Sequence, residues 1–350
     1  MKEDLLNIIK CPSCGNSKKE CFGLTKNAIT SSEIREGELR CNICHEVFNI
    51  KNGILDLLYK PGKEVLEEIQ GIIQALKEGG SKYDDKMLLS LPEAAESKNP
   101  LDSSYKYSLN FYRVMEELKI TGQELVLDLG SGNTWSSSKL AQMGCRCVAL
   151  DISLPKFKGL ESADTYFSSY GIYYERIVSD MEKLPFASGT FDIVMSNSSI
   201  HHALSLKGVL REVNRILKKN GKLVLVNEAV CSMFSLVRNK SRKSLPQFVK
   251  RFNWTENTYS VTQYLRYIKS EGFSRVKVFF PPSIDSKLTE LKNIKADFRN
   301  KMIKHRVAYF ISFVCPSGAF RAVFKKLIFW PAIIIFGVPL LLMAEKTKDR

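Results

Sequence analysis

Short apolar runs, each ending at a glycine or a polar residue, recur through the middle of this 350-residue chain. The first is Leu125–Leu129, which is followed by Gly130 and Gly132 and then by a helical pattern at 136–143. Such a run predicts a buried strand, and the glycines predict an abrupt turn, because glycine takes positive φ and leaves no Cβ in the way of a ligand. Strand, turn and helix start together predict the ligand cradle of a Rossmann-like unit.

Further apolar runs follow, with helical segments between them. They predict strands at 146–151, 175–180, 191–197 and 222–228. The helix before the last of these strands is predicted to end at Gly221. Alternating strands and helices indicate a doubly wound parallel sheet of the α/β class. Three more elements complete a predicted sheet of seven strands: a helix at 259–270, a sixth strand at 274–280 and a closing strand at 338–346.

Two amphipathic helical patterns precede the sheet. Apolar residues recur with helical spacing from Val65 onward and predict a helix that ends at the Gly79-Gly80 pair. A second helix is predicted at 109–118. Residues 81–104 are polar and irregular, which predicts a flexible linker or the base of a lid.

Two Cys-x-x-Cys pairs stand near the N-terminus, Cys11 with Cys14 and Cys41 with Cys44. Two such pairs supply four thiolates, the ligand set of a tetrahedral zinc ion. Four protein ligands leave no open position for chemistry, so the zinc is expected to be structural. The gap between the pairs leaves room for a loop at 27–38. The alternative is two unrelated pairs of buried cysteines.

The charge of the chain is unevenly distributed. The formal net charge is +15, and residues 231–350 carry 23 Lys and Arg against 7 Asp and Glu. Such a block indicates an anionic partner, which could be a phospholipid surface, a phosphorylated substrate or a nucleic acid. The alternative is a solvated basic face. The N-terminus lacks the apolar core of a secretory signal, and the cysteine pattern fits a reducing compartment, so a cytoplasmic location is expected.

Three segments of the N-terminal region resemble a known small module. They are Cys-Pro-Ser-Cys-Gly at 11–15, the second cysteine pair with its flanks at 39–44, and the apolar run at 48–58. Together they resemble the zinc ribbon fused ahead of some bacterial methyltransferases, over about residues 5–60. The resemblance implies a zinc ion held by the four cysteines.

The strand series resembles a class I S-adenosylmethionine (SAM)-dependent methyltransferase of the type 11 kind, over about 105–282 and the end of the chain. Asp151, 19 residues past Gly132, stands where an acidic side chain accepts hydrogen bonds from a ribose. In the place of the family's usual third glycine, this chain has Thr134. The resemblance implies SAM as cofactor and these binding residues: Asp128, Gly130, Gly132 and Asn133 around the methionine moiety, Asp151 at the ribose with Ile152 next to it, Asp180 and Met181 at the adenine, and Asn197 beside the transferred methyl group.

The candidate catalytic residues follow the fourth and fifth strands. Methyl transfer needs in-line placement of a nucleophile and often a base that removes its proton. His201 and His202 stand past the fourth strand, and a histidine titrates near neutral pH. Glu228, at the end of the fifth strand, is a comparable candidate. The alternative for the histidines is that they cap the next helix and line the pocket.

Near the C-terminus, residues 327–344 form a run without a charge. Its length could span a bilayer, but Pro331, Gly337 and Pro339 interrupt the helix and the sheet needs its closing strand. We therefore expect residues 307–336 to lie on a membrane surface, with aromatic residues in the interface and basic residues near anionic headgroups. The alternative is that this segment packs on the domain or forms a dimer face.

The expected function is SAM-dependent methylation of an anionic or lipid-linked acceptor at the inner face of the membrane, such as a glycan carrier or a quinone-like lipid. Methylation of ribosomal or transfer RNA is the alternative, and a non-enzymatic scaffold is a third. The expected domains are a zinc ribbon at 1–60, a helical linker at 61–104, a SAM-binding core at 105–282, a basic and amphipathic insertion at 283–337, and a closing strand with a tail at 338–350.

Overall fold

The computed structural model describes residues 1–30, 33–78, 84–93, 103–231, 251, 255–257, 259–279 and 339–348. The expected insertion at 283–337 and most of the basic block 231–350 lie outside these residues. Within the described ranges, no helix combines the length and the apolar character needed to cross a membrane.

Eleven strands in the described residues form one sheet. The N-terminal four are β1 Phe22–Thr30, β2 Glu33–Cys41, β3 Val47–Lys51 and β4 Ile54–Asp56. The other strands are β5 Leu125–Leu129, β6 Arg146–Asp151, β7 Glu175–Val178, β8 Phe191–Asn197, β9 Leu217–Glu228, β10 Phe273–Phe279 and β11 Leu340–Lys346.

The α-helices of the described residues flank this sheet. They are α1 Lys63–Lys77, α2 Asp85–Leu89, α3 Ser103–Leu118, α4 Trp135–Gln142, α5 Ala163–Tyr170, α6 Leu206–Ile216 and α7 Val261–Ser270. A 3-10 turn at Ile200–His202 follows β8.

The strand order is β1-β2-β3-β4-β7-β6-β5-β8-β9-β11-β10. Strands β4, β7, β6, β5, β8 and β9 run parallel, and β11 lies antiparallel between β9 and β10. The seven strands from β7 to β10 confirm the doubly wound, Rossmann-like sheet predicted from the sequence. The order reverses at β5, which lies between β6 and β8, and ligands of such sheets bind at the carboxyl end of this reversal.

The central strands are buried on both faces, as parallel strands flanked by helices must be. Successive residues of β5 enter opposite apolar clusters: Leu127 and Leu129 pack in one, and Val126 packs in the other. This double burial explains why the strands appear in the sequence as continuous apolar runs.

The N-terminal module joins the sheet directly. Strand β4 pairs in parallel with β7, with Leu55 opposite Ile177, and the Leu57 amide donates to the Val178 carbonyl at 2.9 Å. Beside this pairing, the fully buried Arg176 of β7 contacts Glu33 of β2 at 2.7 Å. The module and the core therefore share one sheet, and the chain leaves this junction to form α1.

The helix expected to end at Gly221 is shorter than predicted. Helix α6 ends at Ile216, because Leu217 turns to an extended conformation, is buried, and pairs with Phe191 at the start of β8. Residues 218–221 therefore belong to β9 and not to the helix.

The loop expected at 27–38 is instead a β-hairpin. Strands β1 and β2 pair from Phe22 opposite Cys41 to Thr30 opposite Glu33. Most of β1 is exposed and polar, so its sequence lacks the alternation that marks a half-buried strand.

Part of the expected linker is packed on the core. In the described stretch 84–93, Leu88 and Leu91 are buried in a cluster with Tyr166. The Tyr166 hydroxyl donates to the Leu88 carbonyl at 3.0 Å. This stretch is therefore anchored to α5.

Candidate active site

The loops at the carboxyl ends of β5, β6, β7 and β8 line one cavity of about 380 Å³. A cavity of this size lies in the range that small-molecule sites occupy. Of the residues singled out in the sequence, these line the cavity: Gly130, Gly132, Asn133, Asp151, Ile152, Asp180, Met181, Asn197 and His202. Asp128, His201 and Glu228 lie outside its lining.

Two glycines shape the turn after β5. Gly130 has φ +71°, and a Cβ there would lie 2.6 Å from the Ser199 Cβ, so the loop after β8 can approach only a glycine. Gly132 has φ +52°, and a Cβ there would meet no described atom within 4 Å. The backbone at Gly132 thus faces open space in the cavity, as a cradle for a ligand requires.

The carboxylate of Asp151 closes the other side of this turn. Its Oδ2 accepts a hydrogen bond from the Gly132 amide at 2.7 Å, and its Oδ1 accepts one from the Ser153 amide at 2.8 Å. Burial raises the pKa of Asp151, although these amide donors oppose the rise. Each carboxylate oxygen can accept a second hydrogen bond, so the group retains capacity for ligand hydroxyls.

Asp128 lies beneath the turn and is fully buried. Its Oδ2 accepts hydrogen bonds from the hydroxyls of Ser136 and Ser137, each at 2.6 Å, which ties the first turn of α4 to the end of β5. Burial raises the pKa of Asp128 to about 6. In the described part of the chain, its Oδ1 has no hydrogen-bond partner.

Thr134, which replaces the family's third glycine, points away from the cavity. It adopts φ +61°, and its hydroxyl contacts the buried Tyr174 hydroxyl at 2.8 Å. Its side chain is fully buried and does not line the cavity. The departure from glycine therefore leaves the ligand side of the turn unobstructed.

The remaining strand ends add polar groups to the same edge. Asp180 accepts a hydrogen bond from the Glu182 amide at 2.8 Å, which shapes the turn that presents Met181 to the cavity. Asn197 accepts a hydrogen bond from the Asn227 amide group at 3.0 Å and is held in place by it.

The two histidines occupy different positions. His202 lines the cavity, whereas His201 is buried behind it, with its Nδ1 2.8 Å from the Glu228 Oε2. Burial lowers the pKa of His202, and the neighbouring His201 lowers it further. Burial would also lower the pKa of His201, but the hydrogen bond and charge of Glu228 outweigh this effect and raise it. The other Glu228 oxygen accepts hydrogen bonds from the Ser196 hydroxyl and the amides of Ser199 and Ile200.

The wall of the cavity that faces the strand ends was not predicted from the sequence. Helix α1 contributes Glu64, Val65, Glu68, Ile72 and Ala75, and a separate segment contributes Thr255 and Glu256. Burial, reinforced by the charges of Asp151 and Glu256, raises the pKa of Glu68 to about 7. The apolar stripe of α1 was visible in the sequence, but its partner was not, because the docking of a helix is a tertiary property.

The four cysteines of the N-terminal module converge. The sulfur atoms of Cys11 and Cys44 are 3.6 Å apart, and those of Cys14 and Cys41 are 3.7 Å apart. Ligands at a zinc–sulfur distance of 2.3 Å in a tetrahedron are about 3.8 Å apart, so this cluster has the dimensions of a zinc site. Gly15 supplies the positive φ that closes the first turn.

Two family models match the chain. Residues 127–225 match the methyltransferase domain family, and residues 2–53 match the Trm112p-like protein family. A malonyl-[acyl-carrier protein] O-methyltransferase of Legionella pneumophila is 33% identical over 112 residues, which are 31% of this chain and 38% of that protein. A demethylmenaquinone methyltransferase of Corynebacterium urealyticum is 32% identical over 113 residues, which are 32% of this chain and 45% of that protein. The chain thus spans less than half the length of these two relatives.

Solved structures resemble the chain at lower identity. A chain in the complex of the Haloferax volcanii Trm112 methyltransferase activator with a methyltransferase has a TM-score of 0.46 at 17% identity, covering 70% of this chain and 91% of that one. The geranyl diphosphate C-methyltransferase of Streptomyces coelicolor has a TM-score of 0.44 at 17% identity, and the match covers 72% of this chain and 86% of that one.

The cysteine cluster generates a testable expectation about metal content. The double variant Cys41→Ser/Cys44→Ser should hold one zinc equivalent fewer per chain than the wild type, because two ligands cannot retain the ion. It should also lose amide-exchange protection in β2 and β3. Elemental analysis with hydrogen-exchange mass spectrometry measures both quantities.

Cys21→Ser is the matched control, since Cys21 is a free cysteine of the same module outside the cluster. Equal zinc in the double variant and the control would exclude the four-cysteine site.

Proposed function

This chain joins a Trm112p-like zinc-binding domain to a class I methyltransferase domain, and we propose that it is a SAM-dependent methyltransferase acting on a small molecule. The observation that carries the proposal is the cavity at the strand reversal, where the open backbone of Gly132 faces the carboxylate of Asp151. SAM, when bound, supplies a methyl group activated by its sulfonium. The residues present fit this group, because they offer an unobstructed glycine turn and a buried acid with spare acceptor capacity.

In this proposal, each strand end binds a different part of the cofactor. The turn at 130–133 takes the methionine moiety, and Asp128 beneath it keeps the turn in place. Asp151 accepts the ribose hydroxyls, with Ile152 packing beside it. The adenine lies against Asp180 and Met181, and Asn197 lies next to the transferred methyl group. The support is that all of these except Asp128 line one continuous cavity.

The acceptor lies on the histidine side of the cavity. The acceptor's proton is taken up by His202, the histidine that lines the cavity. The lowered pKa of His202 keeps its imidazole neutral, so that it can accept a proton. Glu228 was a candidate base, but it is fully buried outside the cavity lining, and both of its oxygens already accept hydrogen bonds. We therefore assign Glu228 to positioning His201.

The acceptor itself is proposed to be an anionic or lipid-linked small molecule at the inner face of the membrane. Among the relatives are enzymes named for malonyl-[acyl-carrier protein] and for demethylmenaquinone. The apolar α1 residues Val65, Ile72 and Ala75 give the cavity a wall that suits an apolar group. The basic charge of 231–350 suits an anionic surface. RNA is the second candidate, favoured by that same charge.

Gly132→Ala tests the cofactor site. The new methyl group would project into the open space of the turn, so we expect SAM to bind at least tenfold more weakly. The left-handed backbone also adds a strain of about 1 kcal/mol. Isothermal titration calorimetry measures the affinity, and thermal unfolding measures the strain.

Gly171→Ala is the matched control, because Gly171 has φ +64° and open surroundings but lies at the end of α5, outside the cavity. It should show the same loss of stability with wild-type SAM affinity. If the two variants bound SAM equally well, the cofactor would not lie in this turn.

The membrane part of the proposal predicts that the protein floats with vesicles that contain anionic lipid at low salt. Binding should weaken when anionic lipid is withdrawn and weaken partly in high salt, because each basic residue near the headgroups contributes about 1 kcal/mol. Density-gradient flotation with neutral and anionic vesicles provides the measurement. A protein that ignores anionic vesicles but binds RNA with a steep salt dependence would favour the RNA alternative.

A further inference from the structure

We propose that His201, His202 and Glu256 form a site for a divalent transition-metal ion at the acceptor end of the cavity. One ligand atom of each side chain lies within 4.8 Å of the others. Ligand atoms around such an ion lie about 3–3.5 Å apart, so side-chain shifts of about 1 Å would close the set. Two imidazoles and one carboxylate are a ligand set that suits zinc, iron, cobalt and nickel.

The first support is the orientation of His201. Its Nδ1 lies 2.8 Å from the Glu228 Oε2, and an ionised carboxylate can accept a hydrogen bond but cannot donate one. The Nδ1 proton therefore points at Glu228, and the Nε2 atom faces the other way, towards the Glu256 Oε2 at 3.7 Å. A carboxylate behind a histidine is the usual arrangement that orients a metal ligand.

The second support is the charge around His201. This residue is 4% exposed, and two carboxylates face its ring, Glu228 at 2.8 Å from Nδ1 and Glu256 at 3.7 Å from Nε2. Two carboxylates beside one imidazole leave an excess of negative charge that a bound cation would offset.

His202 is held in a complementary way. Its Nδ1 contacts the Thr255 carbonyl oxygen, which can only accept, so the Nδ1 carries the proton and the lone pair is on Nε2. The two imidazole rings lie with centroids 4.3 Å apart. In each histidine the Nδ1 is thus engaged and the Nε2 is the ring nitrogen that can bind a metal, and a bound ion would displace any proton on it.

The position of the site gives it a role. His202 and Glu256 line the cavity that holds Gly132 and Asn197, and Glu68 of α1 lies there as well, 3.8 Å from the His202 Nδ1. Three protein ligands leave at least one coordination position open, and this position faces the cavity. An acceptor with a hydroxyl or enol oxygen could occupy it.

This role rests on the proposed methyl transfer, whereas the metal site itself does not. With the ion bound, His202 would be its ligand and not the base. The ion would lower the pKa of the acceptor hydroxyl, so that the proton would pass to solvent water. The oxygen then attacks the methyl carbon while the carbon–sulfur bond breaks, and the bond's electron pair leaves on sulfur. The acceptor class implied is therefore an oxygen nucleophile, such as a phenol or an enol.

The test is a Co²⁺ titration of the full chain with its cysteine cluster loaded with zinc. We expect one additional equivalent of Co²⁺ to bind, with the visible bands of nitrogen and oxygen coordination and without the charge-transfer band of thiolate ligands. His202→Asn and Glu256→Gln should each weaken this binding at least tenfold. His45→Asn is the control, because His45 lies in the N-terminal module and has φ +63°, which asparagine tolerates.

Absence of this one Co²⁺ equivalent in the wild type would overturn the proposal. A thiolate charge-transfer band or equal affinities in all variants would overturn it as well. SAM affinity is measured on the same samples by calorimetry. In the wild type, SAM binding without Co²⁺ binding contradicts the metal site alone, whereas Co²⁺ binding without SAM binding contradicts the proposed function alone.

Discussion

The pairing of β4 with β7 is the contact on which the rest of the arrangement depends. It is short, with Leu55 opposite Ile177 and Asp56 opposite Val178, yet it merges the N-terminal module with the core into one sheet. Arg176 reinforces it from a fully buried position, where an unpaired guanidinium would be very costly. Glu33 of the module and Asp164 of the core neutralise it, at 2.7 and 2.8 Å. The junction therefore contains a buried cation whose carboxylate partners come from both the module and the core.

This junction also determines where the chain goes next. Six residues separate β4 from helix α1, which forms the wall of the cavity opposite the strand ends. The zinc-binding module therefore ends close to the point where the wall of the cavity begins. The cavity itself is lined by the strand ends of the core and by α1, the helix that follows the module.

The strand ends could be predicted from the sequence because their signals are local. An apolar run followed by Gly130 or Asp151 indicates both a strand and the residue at which it ends, and parallel strands bring such ends to one edge of the sheet. The wall of α1 could not be predicted, because an amphipathic stripe does not say which surface covers it. Glu228 shows the same limit: its place at a strand end was visible, but its burial beneath Ser199 and His201 was not. Thr134 stands where the family usually has a third glycine, and only the structure shows that its side chain faces Tyr174.

Hydrogen exchange with and without SAM tests the central claim most directly, namely that the cofactor lies between the strand ends and α1. If the cofactor lies there, added protection is expected in the turns at 130–136, 151–153 and 179–182, together with α1 at Lys63–Lys77. Protection at the strand ends without any change in α1 would contradict the shared cavity. An unchanged exchange pattern at saturating SAM would contradict the cofactor assignment itself.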